Sequence, residues 1–151
     1  MLPTLYCSLF LILFLSSGGD GFSLTSLLNK KEQSYGVKGT FLCDGKGIED
    51  VKVNLYDKDK FSMNDLLNRQ NSDYKGRFSL YGSKKIIFDV VALVKIEHRC
   101  NTKGKDVKKI ELTIPQKLIS EGGVPKTFCD IGTVDLAKAS SVSCLTNGTI
   151  V

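Results

Sequence analysis

Thiols and one imidazole give this 151-residue chain most of its chemical range. The cysteines are Cys7, Cys43, Cys100, Cys129 and Cys144, and the single histidine is His98. A zinc ribbon or finger needs paired ligands about two to four residues apart, and no two cysteines here stand so close. A thiol nucleophile must be free and activated by a neighbouring base. His98 stands near Cys100 but has no second histidine or metal set beside it. Its expected role is structural, a ring hydrogen-bonded beside Cys100, with Arg99 on the opposite face of the same strand. Asp57, Asp59 and Asp65 could be drawn as a cation site, but the EF-hand spacing and its terminal Glu are missing. Solvated loop acids are the better reading. No catalytic, cofactor-binding or metal-ligating set is expected, and the chain reads as a non-enzyme.

What the cysteines do depends on the compartment. Residues Leu9 to Leu15 form an uncharged apolar run, followed by Ser16, Ser17, Gly18 and Gly19. That is the pattern of a secretory signal peptide. The run is too short for a membrane span, which takes about 20 apolar residues; this length argument opposes a retained signal anchor. A signal peptide over residues 1–21 is expected, cleaved near Gly19 to Gly21. Its removal takes Cys7 and leaves four cysteines, the even number an oxidising compartment favours. Four cysteines allow three pairings, and spacing does not choose among them. The sequon Asn147-Gly148-Thr149 is a candidate glycosylation site in a Ser/Thr-rich tail. The expected localisation is secreted and extracellular.

Lys plus Arg outnumber Asp plus Glu by 21 to 16. The lysines cluster at Lys58 and Lys60, at Lys84 and Lys85, and at Lys103, Lys105, Lys108 and Lys109, all read as turns. Solubilising loops and blunting sheet edges is the commoner use of such lysines. Attraction to an anionic membrane or glycan is the functional alternative. Nucleic acid is not an expected partner.

These groups must be positioned by strands. A polar lead-in over 22–34 gives way to short alternating runs. Tyr35 to Cys43 puts Val37, Gly39, Phe41 and Cys43 on one face. Asp44-Gly45-Lys46-Gly47 supplies turn residues, and Val51 to Tyr56 is the clearest strand, so the two runs read as a hairpin. Asp57 to Asn71 is polar and lacks alternation; within it Ser62 to Leu67 resembles a capped helical turn. The turn Ser72 to Gly76 leads into Arg77 to Gly82. In Ile86 to Cys100, the residues Ala92, Val94, Ile96 and His98 share a face. Ile110, Leu112 and Ile114 point inward before Pro115 ends the next strand. Gln116 to Gly123 has room for one helical turn, and Phe128 to Leu136 is the last strand. The expectation is an all-β antiparallel sandwich over 35–137, with one or two short helical turns and a C-terminal tail over 138–151.

The ordered runs Gly36 to Cys43, Val51 to Asp57, Ser72 to Phe78, Ile96 to Cys100, Ile114-Pro115 and Asp130 to Leu136 resemble the nematode transthyretin-like proteins. The resemblance covers about residues 35 to 136. It implies a secreted prealbumin-like sandwich of two antiparallel sheets. Family members commonly carry another Cys soon after the one matching Cys100, which is missing here, and Cys129 replaces a usual bulky apolar residue. In that topology the ends of the strands reaching Cys43 and Cys100 lie together, so the resemblance implies Cys43–Cys100 and, with it, Cys129–Cys144.

The same fold hosts hydroxyisourate hydrolase, which relies on several histidines, an arginine and a Tyr-Arg-Gly-Ser-type C-terminus. This chain has His98 alone and ends Asn147-Gly148-Thr149-Ile150-Val151, which disfavours that activity. An extracellular binding protein is expected, for a cell-surface component, a lipid or a small hydrophobic ligand.

Overall fold

Side chains alternate across a strand, so each alternating run must bury one face against a second layer. The computed structural model describes residues 30–58, 64–86, 91–146 and 149–150 and shows how they do so. The first sheet contains β1 (Lys31–Cys43), β2 (Lys46–Gly47), β5 (Arg77–Ile86), β8 (Ser120–Glu121), β9 (Cys129–Asp135), β10 (Leu145–Thr146) and β11 (Thr149–Ile150). The second runs in the order β4 (Asp65–Asn71), β3 (Lys52–Lys58), β6 (Val91–His98), β7 (Lys108–Thr113). Tyr35, Val37 and Phe41 of β1 face Val53 and Leu55 of β3 and Val94 and Ile96 of β6, all at 0% exposure. Phe41 and Phe78 stack with centroids 4.7 Å apart.

The expected all-β sandwich is what forms, with three local corrections. The Asp44-Gly45 turn does make a hairpin, but with β2, whose Lys46 pairs with Cys43. The chain then crosses to the second sheet, so β1 and β3 are not hairpin partners. Pairing is antiparallel throughout the second sheet, whereas β1 and β9 run parallel, with Val37 opposite Cys129 and Leu42 opposite Asp135. Asp65 to Asn71 is a strand, not a helical turn; residues 59–63, which include Ser62, lie outside the described residues. A single 3-10 turn, Gln116–Leu118, occupies the second expected helical position.

β4 lacks alternation because its side chains close a seam. Asn68 Nδ2 donates to the carbonyl of Tyr81 (2.6 Å), and Gln70 Oε1 accepts the Ser79 amide (3.1 Å), which caps free backbone groups of β5. A Cβ on Gly82 would stand 2.7 Å from the Leu67 Cβ, so the glycine admits Leu67 to the seam. The strand boundaries also extend past the alternating runs. Lys31 to Ser34, read as lead-in, pair with β5, and Gln33 and Ser34 also pair with β8. Beyond residue 137, Cys144 is buried at 1% exposure and Leu145 pairs with Asp130, so this stretch is not a free tail.

Candidate binding site

The sandwich has a polar group pointing inward at each end. At one end, β3 finishes its inward series Val53, Leu55 with Asp57, whose side chain is 0% exposed. Lys84 Nζ lies 2.9 Å from Asp57 Oδ2 and 2.7 Å from Asp65 Oδ2. Two corrections follow. Asp57 is not a solvated loop acid, and the lysines read as turns are partly in strands, Lys84 and Lys85 in β5 and Lys108 and Lys109 in β7. The cation shared by Asp57 and Asp65 is a lysine ammonium from the opposite sheet. Asp59 lies outside the described residues, and among those described no cluster of three His, Cys, Asp or Glu could hold a metal ion.

At the other end, β6 finishes its inward series with His98, 3% exposed. The amide of Cys100 donates to His98 Nδ1 at 3.3 Å. A backbone amide only donates, so Nδ1 is unprotonated and the neutral ring carries its proton on Nε2. Burial, with the nearby Lys108 charge second, holds this imidazole below its ordinary value. Cys100 is bonded to Cys43, joining the end of β6 to the end of β1 across 57 positions. Cys129 is bonded to Cys144, 15 positions on. These are the pairs that the family resemblance implied.

Around His98 the loops are fixed by a few polar groups, of which Ser72 is buried. Ser72, 4% exposed, donates its hydroxyl to the Ile48 carbonyl (2.7 Å) and accepts the Val51 amide (3.0 Å). Its own amide donates to the Val51 carbonyl, and its carbonyl accepts the Asp50 amide. Asp50 takes the left-handed conformation at φ 61° and accepts from Asn71 Nδ2. Gly76, at φ 81°, lets the chain turn back; a Cβ there would stand 2.0 Å from the Phe41 carbonyl oxygen. Asp135 ties down the β1–β2 turn by accepting the amides of Asp44 and Gly45 (3.1 and 3.0 Å) and that of Ala137. Those hydrogen bonds, Ala137 foremost, hold its carboxyl below the usual range.

The result is a cleft of about 470 Å³ lined by residues 48–52, Asn71, residues 97–99 and Val107. Arg99, expected on the opposite face of the strand that carries His98, instead follows the end of β6 and borders the same cleft as His98. Sequence reasoning missed the cleft and its organiser Ser72, which had been read as part of a turn. The one available signal was the dense run of turn residues from Ser72 to Gly76. Beside the cleft, the β6–β7 loop exposes Arg99, Lys103 and Lys105, and the first residue of β7, Lys108, is exposed next to them. The candidate glycosylation site Asn147 and the apolar run of residues 9–15, with Cys7, lie outside the described residues.

A model described as the Transthyretin-like family matches residues 38–115. Transthyretin-like protein 33 of Caenorhabditis elegans is 34% identical over 118 residues, 75% of this chain and 82% of that protein. Transthyretin-like protein 46 of the same nematode is 33% identical over 109 residues, 70% of this chain and 61% of that protein. Transthyretin-like protein 5 is 31% identical over 107 residues, 70% of this chain and 77% of that protein. A solved 9R-lipoxygenase from Cyanothece PCC8801 aligns with 87% of this chain and 21% of its own, at 16% identity and TM-score 0.35. That likeness is too low to bear on fold or function.

Proposed function

The chain belongs to the transthyretin-like family, and from that premise we propose that it is a secreted extracellular binding protein whose binding surface is the cleft end of the sandwich. The observation that carries this reading is the preorganised cleft beside exposed cations. Its walls are held by Ser72 and by the Cys43–Cys100 bond, so little ordering entropy opposes binding. Two disulfides and the apolar run before Ser16 support an oxidising, secretory destination. His98 gives Nδ1 to the Cys100 amide, which leaves it no free lone pair to act as a general base. A binding role therefore suits it better than hydroxyisourate hydrolysis.

Two measurements test the proposal. Full-length chain expressed in secretory cells should reach the medium with all four of these cysteines oxidised. Immobilised oxidised protein should then retain an extracellular component that Arg99→Ala and Asn71→Ala variants do not. Equal retention by those variants would place the binding surface elsewhere, and turnover of hydroxyisourate lost in His98→Asn would overturn the non-enzyme reading.

A further inference from the structure

Arg99, Lys103 and Lys105 of the β6–β7 loop and Lys108 at the start of β7 have a property that Lys52, Lys95 and Lys109 of the same sheet lack. Lys52 and Lys109 pair with Glu97, and Lys95 pairs with Glu111. Arg99, Lys103, Lys105 and Lys108 enter no ion pair among the described residues. The loop that carries them is nonetheless fixed. Cys100 is tied to Cys43, Asn101 Nδ2 donates to Asp44 Oδ2 (3.0 Å), and Thr102 binds the Arg99 carbonyl through both its amide and its hydroxyl. Lys103 to Asp106 form a closed turn with Gly104 at φ 61°. Charges on a fixed frame lose less freedom when they meet a partner.

The adjoining cleft adds groups that an anion alone would not use. Glu49 and Asp50 stand on its wall with Asn71, Arg99 and His98. Carboxylates repel a phosphate or an anionic membrane, but they are strong acceptors for hydroxyl groups. Ile48, Val51 and Val107 supply apolar wall for C–H faces. Val107, 41% exposed, is the one aliphatic side chain of the β6–β7 loop, so the loop has little to insert into a bilayer. We propose that the cleft and the β6–β7 loop together form a site for an acidic glycan, whose sulfate or uronate groups meet the loop cations and whose hydroxyls meet the cleft.

This inference rests on the binding reading above, and its test separates the two. The oxidised protein is titrated with a heparin-derived oligosaccharide, and separately with vesicles of phosphatidylcholine and phosphatidylglycerol. The oligosaccharide should bind, and Lys103→Ala/Lys105→Ala/Lys108→Ala should weaken it about tenfold or more at low salt. The sign of the effect at the acids is decisive. Glu49→Gln and Asp50→Asn should each weaken binding about threefold to tenfold, because they replace charged acceptors of hydroxyls with neutral ones. Asn tolerates the left-handed backbone of position 50, and unchanged denaturation midpoints check that both variants fold. Tighter binding by these variants would mean simple charge attraction with no glycan in the cleft, and would overturn the proposal. So would binding of vesicles without binding of the oligosaccharide. Should the oligosaccharide fail while Arg99→Ala still abolishes capture of an extracellular component, only the glycan assignment falls.

Discussion

The two ends of the sandwich solve the same problem in different ways. Each must close off an inward-facing polar side chain, Asp57 at one end and His98 at the other. The Asp57 end uses charge: Lys84 reaches from β5 to acids on β3 and β4 and ties the two sheets together. The His98 end closes off its imidazole with a covalent bond and a neutral hydrogen bond, and Arg99, Lys103, Lys105 and Lys108 beside it are left facing solvent. A buried ion pair commits its charges to the fold, whereas a disulfide brings strand ends together without consuming any. The comparison teaches why a binding surface is read at the disulfide end and a structural clamp at the other.

That contrast can be broken by experiment. The largest effect is expected from Cys43→Ala/Cys100→Ala, which opens a loop worth about 4 kcal/mol in the chain-entropy model. Urea denaturation should show that loss, and binding at the cleft should fall with it. Lys84→Met should cost about 3 kcal/mol by removing the ammonium from a buried carboxylate. Here the folded fraction should bind as before, and lost affinity in it would contradict the division of labour between the ends. Ser72→Ala should cost about 2 kcal/mol, the range for removing a buried hydrogen-bonding partner, and should loosen residues 48–51, read as faster amide exchange at Val51. The smallest effect is a pH dependence. Because the His98 value is depressed in the fold, the unfolded chain takes up its proton first as pH falls. Stability is full above the ordinary imidazole value of about 6.5 and declines as pH drops below it toward the folded value. In His98→Asn, whose side-chain oxygen still accepts the Cys100 amide, that decline should disappear; a persistent slope would assign it to other groups.

Strands with one apolar face were legible directly. Val53 and Leu55, the series Ala92 to His98, and Ile110 with Leu112 point inward as alternation requires. β4 was not legible, because Asn68 and Gln70 serve the backbone of a strand that follows them and bury no apolar surface of their own. Alternation also cannot say to which sheet a strand belongs, so the Asp44-Gly45 turn pointed to β3 when its partner is β2. Asp57 was legible as an acid but not as a buried one, since its lysine lies 27 positions on in the opposite sheet. The disulfide pairing came from the family resemblance and not from spacing. Apart from the turn residues Ser72 to Gly76 the cleft had no local signature: its walls come from four separate stretches, 48–52, 71, 97–99 and 107, that the pairing of the second sheet brings together.

The parallel pairing of β1 with β9 has a consequence for how the chain folds. β1 is the central strand of its sheet, held by β5 on one side and by β9 on the other. Val37 and Cys129, which lie opposite each other, are far apart along the chain. Contacts of such sequence separation form slowly, since loop closure must precede any gain from pairing. During synthesis the second sheet can assemble once β7 has emerged, but the first has an open side until Cys129 to Asp135 arrive. A nascent chain therefore presents the unpaired backbone of β1 as a template for wrong partners until β9 has been made. Whether β1 is safe is decided by a strand made long after it, across the roughly 92 positions that separate Val37 from Cys129.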